Sequence, residues 1–237
     1  MKTKTLSRRF QNFSFGRAAL DLSVLLFLGL SRLFAQDADL ELPGPELVKK
    51  IFNRPGIVKT EVSQEKVDEN IRWIEMYTDV HLATDIPMDT LRRTILDFDN
   101  YPRIFRRNHD TAVIWKDDKV YLDMIVGLEL FGISFLTAYR VLVRELRNTS
   151  EEFVLDFSHV SDDGNVKNVF GRWYLKKIPP SPGGNEHYYV RYYASSKVLC
   201  KYPFQRMIMT MFIDGESRDL MKQFLKAAEQ RKGIIPP

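Results

Sequence analysis

The 237-residue chain contains a single cysteine, Cys200. An intramolecular disulfide is therefore excluded, and so is a thiolate pair of the kind that holds structural zinc. A lone cysteine near the end of a strand reads as a small buried hydrophobe. The four histidines, His81, His109, His159 and His187, are scattered and lack metal-ligand spacing. No G-x-S-x-G elbow, H-E-x-x-H helix, phosphate-binding loop or dinucleotide fingerprint occurs. Neither a metal nor any other cofactor is expected, and no residue is assigned a catalytic role. No internal repeat is visible.

A true excess of positive charge is also missing from the bulk of the chain. The formal net charge is +4. Six basic residues (Lys2, Lys4, Arg8, Arg9, Arg17, Arg32) and one acid, Asp21, fall within residues 1–35, which leaves 29 basic and 30 acidic residues elsewhere. The basic character belongs to the N-terminus, so nucleic acid is not expected as a partner. In residues 1–35 a basic stretch precedes a short apolar run, residues 22–30, and a small residue, Ala35, before acidic Asp37 and Asp39. That is the layout of an export signal, and the run is short for a membrane span. Residues 1–35 are read as an export signal or N-terminal anchor, and the remainder as periplasmic or extracellular.

What remains is 44% hydrophobic and 12% aromatic over the whole chain, enough to bury a sizeable core. Residues 36–70 read as a linker with a short helix: Pro43-Gly44-Pro45 breaks the chain, and Leu47, Val48 and Ile51 follow at helical spacing. Residues 57–70 are polar and carry no clear period. From residue 71 the pattern sharpens into one domain, 71–230, followed by a tail, 231–237. Residues 71–82 predict a strand. Pro87 opens a helix with Met88, Leu91, Ile95 and Phe98 on one stripe, and Tyr101-Pro102 starts a second short one.

Period-two alternation then predicts five further strands. Val120, Leu122, Met124 and Val126 share a face opposite Asp123 and Gly127. Tyr139, Val141 and Val143 face away from Arg140 and Arg144. Phe153, Leu155, Phe157 and His159 oppose Asp156 and Ser158. Val169, Gly171, Trp173 and Leu175 oppose Arg172, and Tyr188, Val190, Tyr192 and Ala194 oppose Arg191. A kink is expected at Phe131-Gly132 and a turn at Asp162-Asp163-Gly164. Pro203 leads a last helix with two apolar stripes, Phe204 to Phe212 and Leu220 to Ala228, separated by polar residues 214–217. Gly215 costs about 1 kcal/mol relative to Ala in a helix interior, which suits a bend there.

The order of elements resembles the START-like helix-grip superfamily. At the residue level the chain is similar to its polyketide cyclase and coenzyme Q-binding branch. The resemblance is carried by Ile86-Pro87 and Leu96-Asp97-Phe98-Asp99-Asn100-Tyr101-Pro102, then by the Gly171-x-Trp173-x-Leu175 strand and the Pro203-led helix. The branch often continues from Tyr-Pro into Phe-x-Pro, whereas this chain has Ile104-Phe105-Arg106-Arg107. If that stretch lines the cavity mouth, the choice of ligand differs.

The resemblance implies an α+β helix-grip fold. In it a curved antiparallel sheet of about six to seven strands wraps a long C-terminal helix, with two short helices after the first strand. It also implies a cavity for a lipid or other hydrophobic small molecule. Candidate ligand contacts on the inward faces are Tyr139, His159, Trp173, Tyr188 and Tyr192, with Met207 and Met211 closing the cavity from the helix. Core packing is the plainer reading of each of these residues. Arg106, Arg107 and Lys116 could meet an anionic headgroup, or face solvent. Three readings stay open. The first is an exported carrier, whose exchange of ligand is compatible with transient membrane contact. The second is a cyclase- or dehydratase-type enzyme using Tyr139 or His159 as acid–base group. The third is a protein-interaction module with a filled cavity.

Overall fold

The computed structural model describes residues 42–130, 133–160, 165–179 and 185–232. The expected export segment, the kink at Phe131-Gly132, the turn at Asp162-Asp163-Gly164 and the last five residues of the tail lie outside the described residues. Among the described residues, no helix is long and apolar enough to cross a membrane.

The alternating segments become long antiparallel strands. In chain order the elements are α1 (Pro45–Lys50), β1 (Gly56–Lys66), β2 (Arg72–Thr84), α2 (Met88–Leu96), a 3-10 turn (Phe98–Asn100), α3 (Tyr101–Ile104), β3 (Asn108–Lys116), β4 (Lys119–Leu130), β5 (Ile133–Asn148), β6 (Glu152–His159), β7 (Val166–Ile178), β8 (His187–Cys200) and α4 (Pro203–Lys232). The strands form one sheet in the order β1-β2-β8-β7-β6-β5-β4-β3. Six consecutive strands, β3 to β8, meander back until β8 pairs with β2. The two short helices make the crossing from β2 to the far edge. This is a helix-grip fold, with α4 lying against the sheet.

The sheet has two strands more than alternation predicts, and both are edges. Residues 56–66, read as linker, are β1, paired with β2 from Gly56↔His81 to Lys66↔Arg72. Residues 108–116 are β3, paired only with β4. An edge strand is wet along one side and carries charge to deter further pairing. Lys59, Glu61, Glu65, His109 and Asp110 do that here, and they erase the alternation. The β3–β4 hairpin closes on Asp117 and Asp118, both at positive φ (51° and 57°), as a two-residue loop requires. Asn168, also at positive φ, sits where the β7–β8 register slips between Lys167 and Phe170.

One face of the sheet builds the core. Val80, Leu82, Leu122, Val141, Phe153, Leu155, Trp173, Leu175 and Val190 pack with Leu91 and Ile95 of α2 and with Met221, Phe224, Leu225 and Ala228 of α4. The helix α4 runs unbroken through Gly215. Its C-terminal half is tied down at several points. Arg231 bonds the Asp97 carboxylate and the Arg93 carbonyl, and Lys232 pairs with Asp85. Gln223 accepts the Arg106 backbone N–H at 2.6 Å.

Candidate functional site

Side chains alternate across a strand, so the inward residues of six neighbouring strands converge on the space beneath α4. Toward the C-terminal end of α4 that space is solid core. Toward the other end it opens into a cavity of about 300 Å³. β2 supplies Met76 and Thr78; β8 supplies Tyr192 and Ala194; β7 supplies Val169, Gly171 and Trp173. Phe157 of β6, Tyr139 and Val141 of β5, and Met124 and Val126 of β4 complete the sheet side. Phe105, Arg107 and Asn108 close it beyond α3, and Ile213 and Leu220 close it from α4. Gly171 leaves room: a Cβ there would sit 3.6 Å from the Phe157 ring and 3.7 Å from the Tyr192 hydroxyl.

A second, more polar space of about 530 Å³ adjoins the first. Both are bounded by Met76, Val126, Tyr139 and Ser196. The second continues between Phe135 and Leu136 of β5 and the segment Cys200, Lys201 and Gln205 before and at the start of α4. Gly127 lies on its wall. A Cβ there would come within 2.0 Å of the Phe135 carbonyl oxygen, so β4 and β5 approach too closely for any side chain.

The aromatic anchor is Trp173, 2% exposed. Its ring lies 4.6 Å from that of Tyr192, 4.8 Å from Phe224 and 6.5 Å from Phe105. Among the polar groups, the Tyr101 hydroxyl donates to the Ile95 carbonyl at 2.6 Å. Asn108 and Thr111 bond each other. Arg107, at the cavity's edge, forms a two-pronged pair with Glu216 of α4, and Arg106 adds a second arginine to the same carboxylate. The Glu216 hydrogen bond is the main influence that raises the Arg107 guanidinium above its ordinary value. Burial pushes the Tyr192 hydroxyl up to about 12. It raises Tyr139 further, with Tyr192 adding to the effect. Both phenols stay protonated at any physiological pH and offer O–H groups to the cavity.

The residues expected at the site divide. Tyr139, Trp173 and Tyr192 line the cavity. His159 stands beside Tyr139, their rings 6.5 Å apart and edge to face, outside the lining; its Nε2 is buried without a hydrogen-bond partner. Tyr188 is displaced from the expected position. It shares the face of Tyr192, but four residues along a strand is about 13 Å. That places it in the solid core, where its hydroxyl donates to Glu186 at 2.7 Å. Met207 is a correction as well: it is 49% exposed. At 100° per residue it lies about 120° round the helix from Ile213, which faces the cavity. The side chain of Met211 lies outside the described residues. Phe105 and Arg107, from the stretch that departs from the family pattern, do line the cavity. Arg106 and Arg107 are engaged by Glu216, while Lys116 ends β3 on the exposed surface. Among the described residues, no three His, Cys, Asp or Glu side chains come together as a metal site.

No protein-family model matches the chain, and no curated protein matches it in sequence. Solved structures with a similar backbone arrangement do exist. Human STARD10 is 9% identical, with a TM-score of 0.49 over 80% of this chain and 81% of that one. Human StAR-related lipid transfer protein 5 is 10% identical, with a TM-score of 0.46 over 72% and 87%. The aromatase/cyclase Zhui from a Streptomyces is 13% identical, with a TM-score of 0.44 over 66% and 95%. Likenesses this distant lend no weight to a particular ligand or activity.

Proposed function

We propose that this protein binds a lipid or other hydrophobic small molecule between its sheet and α4, as an exported carrier. The observation that carries the reading is the cavity itself. Its walls are mostly apolar and aromatic, with a few fixed polar groups, which is the composition of a small-molecule site. A space of about 300 Å³ lies at the lower end of the range for such sites, and the adjoining space extends it. Ligand would pass through the second space. Leu136, Tyr202, Phe204 and Met207 are exposed beside that route, which suits brief contact with a membrane or another apolar donor. Export rests on the arrangement of residues 1–35 alone.

The lining chemistry favours a carrier over a catalyst. General acid–base work needs a group that titrates near the working pH. The described lining residues include no carboxylate or imidazole, and the phenols are pushed away from neutrality. A side-chain-filled interaction module is also disfavoured, because Trp173 borders open space rather than filling it. The test is native mass spectrometry of the delipidated full chain after exposure to a total cell lipid extract. One-to-one adducts with apolar or amphipathic molecules are expected. A protein that emerges without adducts would sink the reading.

A further inference from the structure

Five hydroxyl-bearing residues of the cavity wall, Thr78, Tyr139, Tyr192, Ser195 and Ser196, have no described hydrogen-bond partner for their hydroxyls; Ser196 also borders the second space. Thr78 is 8% exposed, and its Oγ1 is buried without a hydrogen bond. The Tyr139 and Tyr192 hydroxyls border the open cavity and make no hydrogen bond to any described residue, whereas Tyr101, on the same wall, is satisfied by Ile95. Thr78 and Tyr192 are diagonal neighbours on one face: Thr78 pairs with Ala194, and Tyr192 with Val80. Tyr139 reaches the same cavity from β5.

An unpaired hydroxyl facing an apolar space is costly. Phenylalanine and valine would fill the same volumes without that cost. Water can satisfy these hydroxyls only until an apolar ligand displaces it. A ligand that carries an oxygen at this place keeps the bonds. We infer that the cavity takes an uncharged apolar molecule bearing a hydrogen-bond acceptor, such as a ketone or ester, with its oxygen among Thr78, Tyr139 and Tyr192. This deepens the carrier reading and rests on it.

The same wall argues against an anion. The cationic side chain of the lining, Arg107, is held by Glu216. A buried carboxylate would have to break that pair or go without a counter-ion, and an unpaired buried charge is far more costly than an unpaired hydroxyl.

A matched set of probes tests this on the full chain at neutral pH. The first is propionyl-dimethylaminonaphthalene, a neutral ketone whose emission moves to the red when its carbonyl accepts a hydrogen bond. The second carries propyl in place of propionyl. The third is the corresponding naphthoate. The variants are Thr78→Val, Tyr139→Phe and Tyr192→Phe, each nearly isosteric and each checked by thermal melting.

In the wild type the ketone should bind with red-shifted emission, and the naphthoate at least about tenfold more weakly. In folded variants ketone affinity should fall about five- to tenfold, as loss of one net hydrogen bond predicts, while the propyl compound is unaffected or binds better. If both neutral probes bind and the variants treat them alike, the inference fails and the carrier reading survives. Naphthoate binding as tightly as the ketone overturns the preference for a neutral ligand. If neither neutral probe binds the wild type, the carrier reading falls together with the inference.

Discussion

The two faces of the sheet handle buried polar groups in opposite ways. On the inner face, hydroxyls border a cavity, and those of Thr78, Tyr139 and Tyr192 are among the ones that lack a described partner. On the outer face, charged side chains are buried and paired. Asp79 accepts Arg191 Nε at 2.9 Å and Nη2 at 2.7 Å, and it meets His81 Nε2 at 3.0 Å. Tyr189 completes that group at 2.8 Å from His81 Nδ1. One strand over, Asp156 and Arg172 are directly opposed and joined by two hydrogen bonds. The guanidiniums of Arg191 and Arg172 lie 5.1 and 5.7 Å from the Tyr193 ring centre. The outer network uses its bonding capacity to hold β2, β8, β7 and β6 in register. The inner hydroxyls keep theirs available. The difference separates what builds the sheet from what meets a ligand.

The hardest way to break this comparison is at Asp156. Replacing it with Ala leaves the Arg172 guanidinium buried without its carboxylate, which should cost about 3–5 kcal/mol in urea unfolding. Replacing both residues with Leu removes both charges together and should cost much less. If Asp156→Ala costs no more than a surface substitution, the outer face is not the structural half of the molecule.

A smaller effect depends on pH. Burial alone would raise the Asp79 carboxyl, but hydrogen bonds from His81 and Arg191, with their charges, outweigh it and hold the group below its ordinary value. A group depressed in the folded state stabilises the protein above its unfolded pKa, near 4 for an aspartate, and loses that contribution as pH falls through the folded value. Stability should therefore be insensitive to Asp79 ionisation above about pH 5 and decline below about pH 4. In Asp79→Asn that part of the acid decline should disappear, as measured by unfolding midpoints across the acid range. The same experiment on Tyr139→Phe should leave the acid decline unchanged.

The paired and unpaired faces differ in how far the sequence alone reveals them. Alternation places Tyr139, Trp173 and Tyr192 on one face because each lies in a central strand with one apolar side. The same rule puts Asp156, Arg172 and Arg191 opposite, where it suggests solvent; that they pair and become buried depends on register, which single strands do not carry. The edges β1 and β3 are hidden because Lys59, Glu61, His109 and Asp110 break the period. Tyr188 shares the face of Tyr192, yet only the packing of α2 and α4 shows that its end of the sheet is solid. Met207 belongs to a real apolar stripe, but the phase of a helix against a sheet is set by tertiary contacts. Phe105 and Arg107 lie in irregular chain between α3 and β3, and Asn108 only begins that edge strand, so no period exists there to read.

The finest contrast is between two tyrosines three residues apart on β8. Tyr189 points outward and its hydroxyl is bonded to His81; Tyr192 points inward and its hydroxyl makes no hydrogen bond to a described group. Tyr189→Phe removes one partner of a buried hydrogen bond and leaves the imidazole nitrogen unsatisfied, a loss of about 1 kcal/mol or somewhat more. Tyr192→Phe removes an unpaired polar group and preserves the ring against Trp173, so stability should stay within about 0.5 kcal/mol or rise. Urea midpoints for the two variants, measured side by side, check this. If Tyr192→Phe destabilises as much as Tyr189→Phe, the inner hydroxyl is already engaged by the protein and belongs with the outer network. If it is neutral or stabilising while ketone affinity falls, that hydroxyl is kept at a cost in stability that the bound ligand offsets.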